Sequence, residues 1–266
     1  MTVMTSIVIA RRSLQPDAAV LTVQAEGAAA VRPFQFYMLS CPDSAAFPFL
    51  PRPFSVYDAG SRSLDFLVKS IGPGTAALAE LELGDELLLT GPLGNGIDLP
   101  PFGRRSIGVA GGVGIAPFLL LYRRMLAASP PSGGERPLLI FGARSREFLY
   151  DLELFEDLPI DLRIATEDGS LGTRGLVTDL LGPALDEEPS EVLACGPDRM
   201  MAAVARVCAR AGTPCRLSLE TFMACGVGIC NACAVKVRDD RFVEGYRYDR
   251  CCIDGPVFDA AQVEEL

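Results

Sequence analysis

Cys225-Gly-Val-Gly-Ile-Cys230-Asn-Ala-Cys233, followed downstream by Cys251-Cys252, is the part of this sequence whose residue types and spacing could do chemistry. Three thiols spaced C-x4-C-x2-C, with a fourth later in the chain, suit a [2Fe–2S] cluster, whose two irons need four thiolates. Gly226 and Gly228 relax the steric limits on the loop, so that backbone N–H groups can turn toward the sulfurs. Structural zinc is the alternative, but its ligands usually come as separate C-x2–4-C pairs, whereas three positions lie close together here. A disulfide framework fits less well. The nine cysteines are an odd number in a chain of 266 residues, and no secretory pattern accompanies them.

Two glycine-bearing segments could approach a phosphate. Gly111-Gly112-Val-Gly114-Ile-Ala-Pro117 stands between a strand-like run and a helix-like run. Glycines there let backbone near a pyrophosphate, and the following helix end offers free N–H groups. Pro117 suits a first helical turn. Because proline replaces the last glycine of G-x-G-x-x-G, a merely tight turn explains the segment equally well. Cys195-Gly196-Pro197 ends a strand where open α/β sheets bind ligands, although on the residues alone a buried thiol before a helix start accounts for it better. Arg52-Pro53-Phe54-Ser55 could grip a flavin; on the residues alone, an exposed arginine beside a turn proline accounts for it better. Gly74-Thr75 and Gly91-Pro-Leu-Gly-Asn-Gly96 read equally as turns.

Composition bounds these choices. A formal charge of −10 argues against nucleic acid, whose phosphates would need a basic face. The chain has no histidine, which removes Ser-His-Asp catalysis, histidine-based zinc enzymes, Rieske centres and histidine-ligated haem. Catalysis here calls for a cofactor. Met1-Thr-Val-Met-Thr-Ser lacks the pattern of a signal peptide, and no apolar run reaches the roughly 18 residues of a membrane span. A cytoplasmic protein without a membrane contact is expected.

The elements that position these residues change character along the chain. Short alternating runs at Ser6–Ala10, Ala19–Gln24, Phe34–Leu39, Leu64–Lys69 and Asp85–Thr90, broken by Pro, Gly and Ser, predict a small antiparallel barrel. After Pro100-Pro101, strands at Ser106–Ala110, Pro137–Gly142, Asp161–Thr166 and Glu191–Gly196 alternate with helical patterns, which predicts an open parallel α/β sheet. The cysteine-rich tail follows from about residue 214. The expectation is an α+β multidomain chain: a barrel over 1–102, an α/β domain over 103–213 and a small C-terminal lobe over 214–266.

Taken in order, R-P-x-S, G-G-x-G-x-A-P, C-G-P and the cysteine tail resemble the ferredoxin reductase superfamily. Arg52–Ser55, Gly91–Gly96, Glu167-Asp-Gly-Ser170, Met223–Cys230 and Cys252-Ile-Asp-Gly-Pro-Val-Phe258 resemble one family within it, the electron-transfer subunits of B-type dihydroorotate dehydrogenase. The resemblance spans nearly the whole chain. It implies that Arg52, Pro53, Phe54 and Ser55, with Leu67, Val68 and Lys69 and with Gly74 and Thr75, contact FAD. It assigns NAD(H) to the domain carrying Gly111, Gly112, Gly114, Cys195, Gly196 and Pro197. Cys225, Cys230, Cys233 and Cys252 hold the [2Fe–2S] cluster in that scheme, Cys252 being preferred over Cys251 because it directly precedes Ile-Asp-Gly-Pro-Val-Phe.

The implied function is an oxidoreductase subunit that passes electrons from NADH through FAD and the cluster to an FMN-containing catalytic subunit. The assembly would be a heterotetramer supporting dihydroorotate/orotate conversion in pyrimidine biosynthesis. No acid–base residue is then required. The FAD subunit of ferredoxin:NADP-type transhydrogenases and sulfide dehydrogenases is similar, but typically has aspartate where this chain has Cys225. Arg144-Ser-Arg146, following a strand, could receive a 2′-phosphate. A zinc-binding interaction module and a cluster-based redox sensor are the readings from other classes, predicting respectively a colourless protein and a coloured one without diaphorase activity.

Overall fold

The computed structural model describes residues 2–41, 50–99, 105–128 and 136–264. Seven strands build the first sheet: β1 (Thr2–Leu14), β2 (Ala18–Gln24), β3 (Phe36–Ser40), β4 (Arg52–Ser55), β5 (Asp58–Ala59), β6 (Ser63–Lys69) and β7 (Glu86–Leu93). Their order is β4-β3-β7-β1-β2-β6-β5, and every pairing is antiparallel. The two edge strands are parts of one extended segment. Val56 N–H still bonds to Gln35 O at 3.0 Å, while Tyr57 N–H bonds to Asp65 O at 2.8 Å. The chain thus leaves one edge and joins the other, curling the sheet toward the expected barrel. Its core is made by alternate residues such as Val8, Leu21, Val23, Phe66, Leu87 and Leu89. Helix α1 (Pro73–Ala79) follows β6.

The second sheet holds β8 (Arg105–Gly111), β9 (Leu138–Ala143), β10 (Asp161–Thr166), β11 (Thr173–Arg174), β12 (Ser190–Cys195) and β13 (Cys215–Ser218), all parallel in the order β11-β10-β9-β8-β12-β13. Helices α2 (Ala116–Ala128), α3 (Leu152–Glu156), α4 (Val177–Glu187) and α5 (Asp198–Ala211) make the crossovers. Buried on both faces, the central strands read as near-continuous apolar runs. Ile107 and Val109 pack toward α4 and α5 with Leu181, Met201 and Val204. Ala110, Leu139 and Phe141 pack on the other face with Phe118, Leu119 and Tyr122 of α2.

Outside these sheets stands one hairpin, β14 (Ala234–Arg238) with β15 (Tyr246–Arg250). The strand β16 (Val257–Asp259) then returns to the large sheet and pairs antiparallel with β13. The tail expected from residue 214 therefore begins and ends as sheet. Both strands are only three or four residues long, too short to stand out by pattern. Pro100 to Arg104, where the sequence changes character, lie outside the described residues.

Candidate functional site

The parallel sheet reverses direction between β8 and β12. From β8 the chain moves outward through β9, β10 and β11, then returns to β12 on β8's other side. Crevices at the carboxyl ends of such strands are where open α/β folds bind ligands. Both glycine-bearing segments lie there, since Gly111 closes β8 and Cys195 closes β12. They pack on each other. A Cβ at Gly114 would stand 2.3 Å from Cys195 O, and one at Gly196 would stand 3.0 Å from Gly111 N. Gly111 faces Met200 Sδ at 2.5 Å in the same sense. Gly112 differs: its φ is 53° and nothing lies within 4 Å of its missing side chain. Helix α2 begins directly beyond the turn, with Pro117 in its first turn.

Next to this edge lie residues that the sequence did not single out. Burial pushes the Cys195 thiol up, the Glu220 charge adds to this, and the Ser218 hydroxyl opposes it. The Glu220 carboxyl is itself raised, first by the protein crowded around it and then by Asp198. Thr221 Oγ1 is the buried side-chain oxygen without a well-formed hydrogen bond among the described residues. Its neighbour is the thiol of Cys251. Glu220 follows β13, whose course no local pattern revealed.

In the barrel, the structure brings Arg52 and Gly74 together. A Cβ at Gly74 would lie 2.2 Å from Arg52 Cζ, so the guanidinium occupies the space that a side chain would fill. Arg52 also donates to Leu50 O. Thr75 Oγ1 accepts from the N–H groups of Ile71 and Gly72 at 2.9 and 3.0 Å, which holds the start of α1. Pro53, Phe54 and Ser55 continue β4, half-buried. Leu67 and Val68 are buried in β6. The ammonium of Lys69 instead meets Asp17 at 3.6 Å and lies over Phe148 and Tyr150, spanning the barrel and the α/β layer.

The cysteines gather as two pairs. Cys233 and Cys252 are buried with their sulfurs 3.3 Å apart. Cys225 and Cys230 lie toward the surface, and Cys225 Sγ accepts from Val227 N–H at 3.4 Å and from Cys230 N–H at 3.5 Å. Although desolvation works against it, the N–H donors of Cys230 and Val227 draw the Cys225 thiol down to about 6. Burial, followed by the Cys233 thiol, pushes Cys252 up to about 12. Cys251 turns away from this group: its thiol donates to Leu219 O at 3.4 Å. The positive φ values of Gly226 (69°) and Gly228 (79°) shape the loop. Two pairs suit two irons with two thiolates each. Among the described residues, no three side chains of ligating type converge as they would on a single ion.

The cluster loop also touches the barrel. A Cβ at Gly226 would meet Met38 Cγ at 2.6 Å and Leu93 Cδ1 at 3.2 Å. Asn95 N–H bonds to Gly255 O at 2.8 Å, and Asn95 Nδ2 donates to Asp254 O at 3.0 Å. The Gly91–Gly96 turn thus seats the Asp254-Gly-Pro256 segment, and motifs far apart in sequence meet in space.

Comparison with known proteins agrees with this geometry. Residues 220–264 match the iron–sulfur cluster binding domain of dihydroorotate dehydrogenase B, and residues 109–206 match the oxidoreductase NAD-binding domain. The electron transfer subunit of dihydroorotate dehydrogenase B (NAD(+)) from Caldanaerobacter subterraneus subsp. tengcongensis is 39% identical over 231 residues, covering 87% of this chain and 86% of that one. Its counterpart from Clostridium acetobutylicum is 37% identical over 228 residues, covering 86% and 84%. A structure described as that of an NADH-dependent reduced ferredoxin-NADP oxidoreductase, reported for flavin-based electron bifurcation, superimposes with a TM-score of 0.82 at 26% identity, covering 98% of this chain and 90% of that one. The ferredoxin reductase of carbazole 1,9a-dioxygenase shares the fold, with a TM-score of 0.69 over 80% of this chain and 67% of its own. No helix among the described residues is long and apolar enough to cross a membrane.

Proposed function

The chain belongs to the electron transfer subunits of dihydroorotate dehydrogenase B, and on that premise we propose which residues carry its traffic between NADH and a catalytic partner. Bound FAD and a [2Fe–2S] cluster supply the change from two-electron to one-electron chemistry that this task requires. Cys225, Cys230, Cys233 and Cys252 hold the cluster. Arg52, Pro53, Phe54, Ser55, Leu67, Val68, Lys69, Gly74 and Thr75 hold FAD, and Gly111, Gly112, Gly114, Cys195, Gly196 and Pro197 hold NAD(H). The division into 1–102, 103–213 and 214–266 follows these three tasks.

The observation that carries this reading is the gathering of thiols into two pairs beside Met38 and Leu93 of the barrel. The choice of Cys252 over Cys251 is supported by the Cys251 thiol, which donates to Leu219 O. At the nucleotide edge, Gly112 leaves open space beside the N-terminus of α2, where backbone N–H groups favour a phosphate. Arg52 supplies a fixed positive charge at the start of α1.

The far end of the wire is an FMN-containing catalytic subunit, joined in a heterotetramer in the cytoplasm. Cys230 is exposed, as are its sequence neighbour Ile229 (79%) and Phe222 (94%), which also follows β13. Large apolar side chains around a solvent-facing ligand suit a docking face that brings the partner close to the cluster.

The visible spectrum of purified protein, recorded before and after anaerobic NADH, tests the whole reading. Flavin bands with a broader reddish shoulder, bleached by NADH, are expected. A protein that stays colourless after flavin and iron–sulfide reconstitution would overturn it in favour of zinc.

A further inference from the structure

Arg144 and Arg146, which the sequence marks as able to meet a 2′-phosphate, stand at the same sheet edge as Arg174, which the sequence does not mark. Arg144 is the first residue beyond β9, the strand next to β8, with Gly111 and Gly142 in register. The 144–146 loop therefore lies directly beside the Gly111–Gly114 turn. It is tied to the loop after β10, because Arg146 N–H donates to Ser170 Oγ at 2.8 Å and Asp168 N–H donates to Arg144 O at 3.1 Å. Arg174 closes the group: a Cβ at Gly169 would lie 3.1 Å from Arg174 Cβ, so that side chain is laid along the loop.

All three arginines are exposed, and none has a carboxylate or hydrogen-bond partner for its guanidinium among the described residues. Several other arginines of this acidic chain are neutralised locally. Arg12, Arg62, Arg105, Arg123, Arg163 and Arg247 each pair with an aspartate or glutamate. The acids near the trio are Glu147, Glu167 and Asp168. Asp168 is engaged by Ser170, whose N–H and hydroxyl donate to Oδ1 at 2.9 and 2.6 Å. Glu147 accepts a long bond from the Ser145 hydroxyl at 3.4 Å, and Glu167 is exposed.

In dinucleotide folds the residue near the tip of the second strand meets the adenosine ribose. A carboxylate there receives the free 2′-hydroxyl, and an arginine accommodates a 2′-phosphate. This chain has Arg144 at that tip. We propose that the edge forms a 2′-phosphate subsite from Arg144, Arg146 and Arg174, so that the protein takes NADP(H) in addition to NAD(H). This rests on the assignment of the dinucleotide to the β8–β12 edge. Planar guanidinium groups suit a phosphate dianion through paired N–H bonds.

Calorimetry on the holoprotein with two probes that differ only in the 2′ group tests it: adenosine 5′-monophosphate and adenosine 2′,5′-bisphosphate. The bisphosphate is expected to bind about tenfold tighter or more. The difference should shrink between low and moderate salt, and R144Q/R146Q should bring the two affinities together. Equal binding of the two probes by the unaltered protein would overturn the 2′-phosphate subsite while leaving the nucleotide edge intact. Failure of both to bind would overturn the edge itself and the subsite with it. A preference for the bisphosphate that survives in R144Q/R146Q would remove these arginines from the subsite.

Discussion

At the nucleotide edge, Gly114 has the carbonyl oxygen of Cys195 where a side chain would stand, whereas Gly226 in the cysteine loop has the Cγ of the Met38 side chain there. The first is backbone against backbone and cannot yield. The second is backbone against a side chain with several rotamers. The nucleotide edge is accordingly complete without its ligand, built by two strand ends that lock together. In the cysteine loop one thiol is drawn toward the charged form near the surface and another is held neutral in the interior. Rigid sheet architecture shapes the first site, and in the proposed reading a cluster would complete the second.

The largest test of this contrast is within the cysteine region. Cys252→Ser should abolish the cluster, read as loss of iron and acid-labile sulfide, while Cys251→Ser should retain both. Equal loss in the two variants would show that the neighbouring thiols share one role. At the nucleotide edge, Gly114→Ala should cost about 3 kcal/mol or more of stability in denaturant unfolding, because its methyl meets unyielding backbone. Gly226→Ala should cost about 1–2 kcal/mol, the strain of a left-handed conformation, since Met38 can move. Reversal of that order would break the comparison.

The smallest effect concerns pH. An unperturbed thiol titrates near 8.5. In metal-free protein Cys225, drawn down to about 6, is mostly thiolate at pH 7, whereas Cys252, pushed to about 12, is thiol. Iodoacetamide should label Cys225 first at neutral pH, with the rate falling as pH drops through about 6, and should spare Cys252. Mass-spectrometric mapping of the labelled sites checks this.

The site was legible in the sequence wherever its chemistry is local. The C-x4-C-x2-C spacing stands out within a few residues, whereas the Gly111–Gly114 turn and Cys195–Pro197 can be singled out locally but read there as a tight turn and a buried thiol as well. What could not be read are relations between distant segments. Arg52 filling the space over Gly74 joins two motifs that each read as a turn on their own. Asn95 bonding to Asp254 crosses 159 residues. Cys251 and Cys252 are the same residue type in adjacent places, and only the packing around Leu219 decides which of them faces Cys233. The fold shows the same limit. Long alternating strands were visible, but β5, β11, β13 and β16 span two to four residues, less than any periodicity needs to register. Their places in the sheets are set by partners, and so is the position of Glu220.

One pairing described above has an architectural consequence. Ser218, the last residue of β13, is in register with Val257, the first of β16. The chain therefore leaves the large sheet and re-enters it one strand away, with the entire cysteine-bearing excursion looped out between two adjacent points. A segment whose ends are already neighbours can be removed and replaced by a short connection, or transplanted between two such strands of another sheet, without rerouting the rest of the chain. The electron-carrying lobe is in this sense a cassette, and a barrel with its parallel sheet is a host that could exist with it or without it.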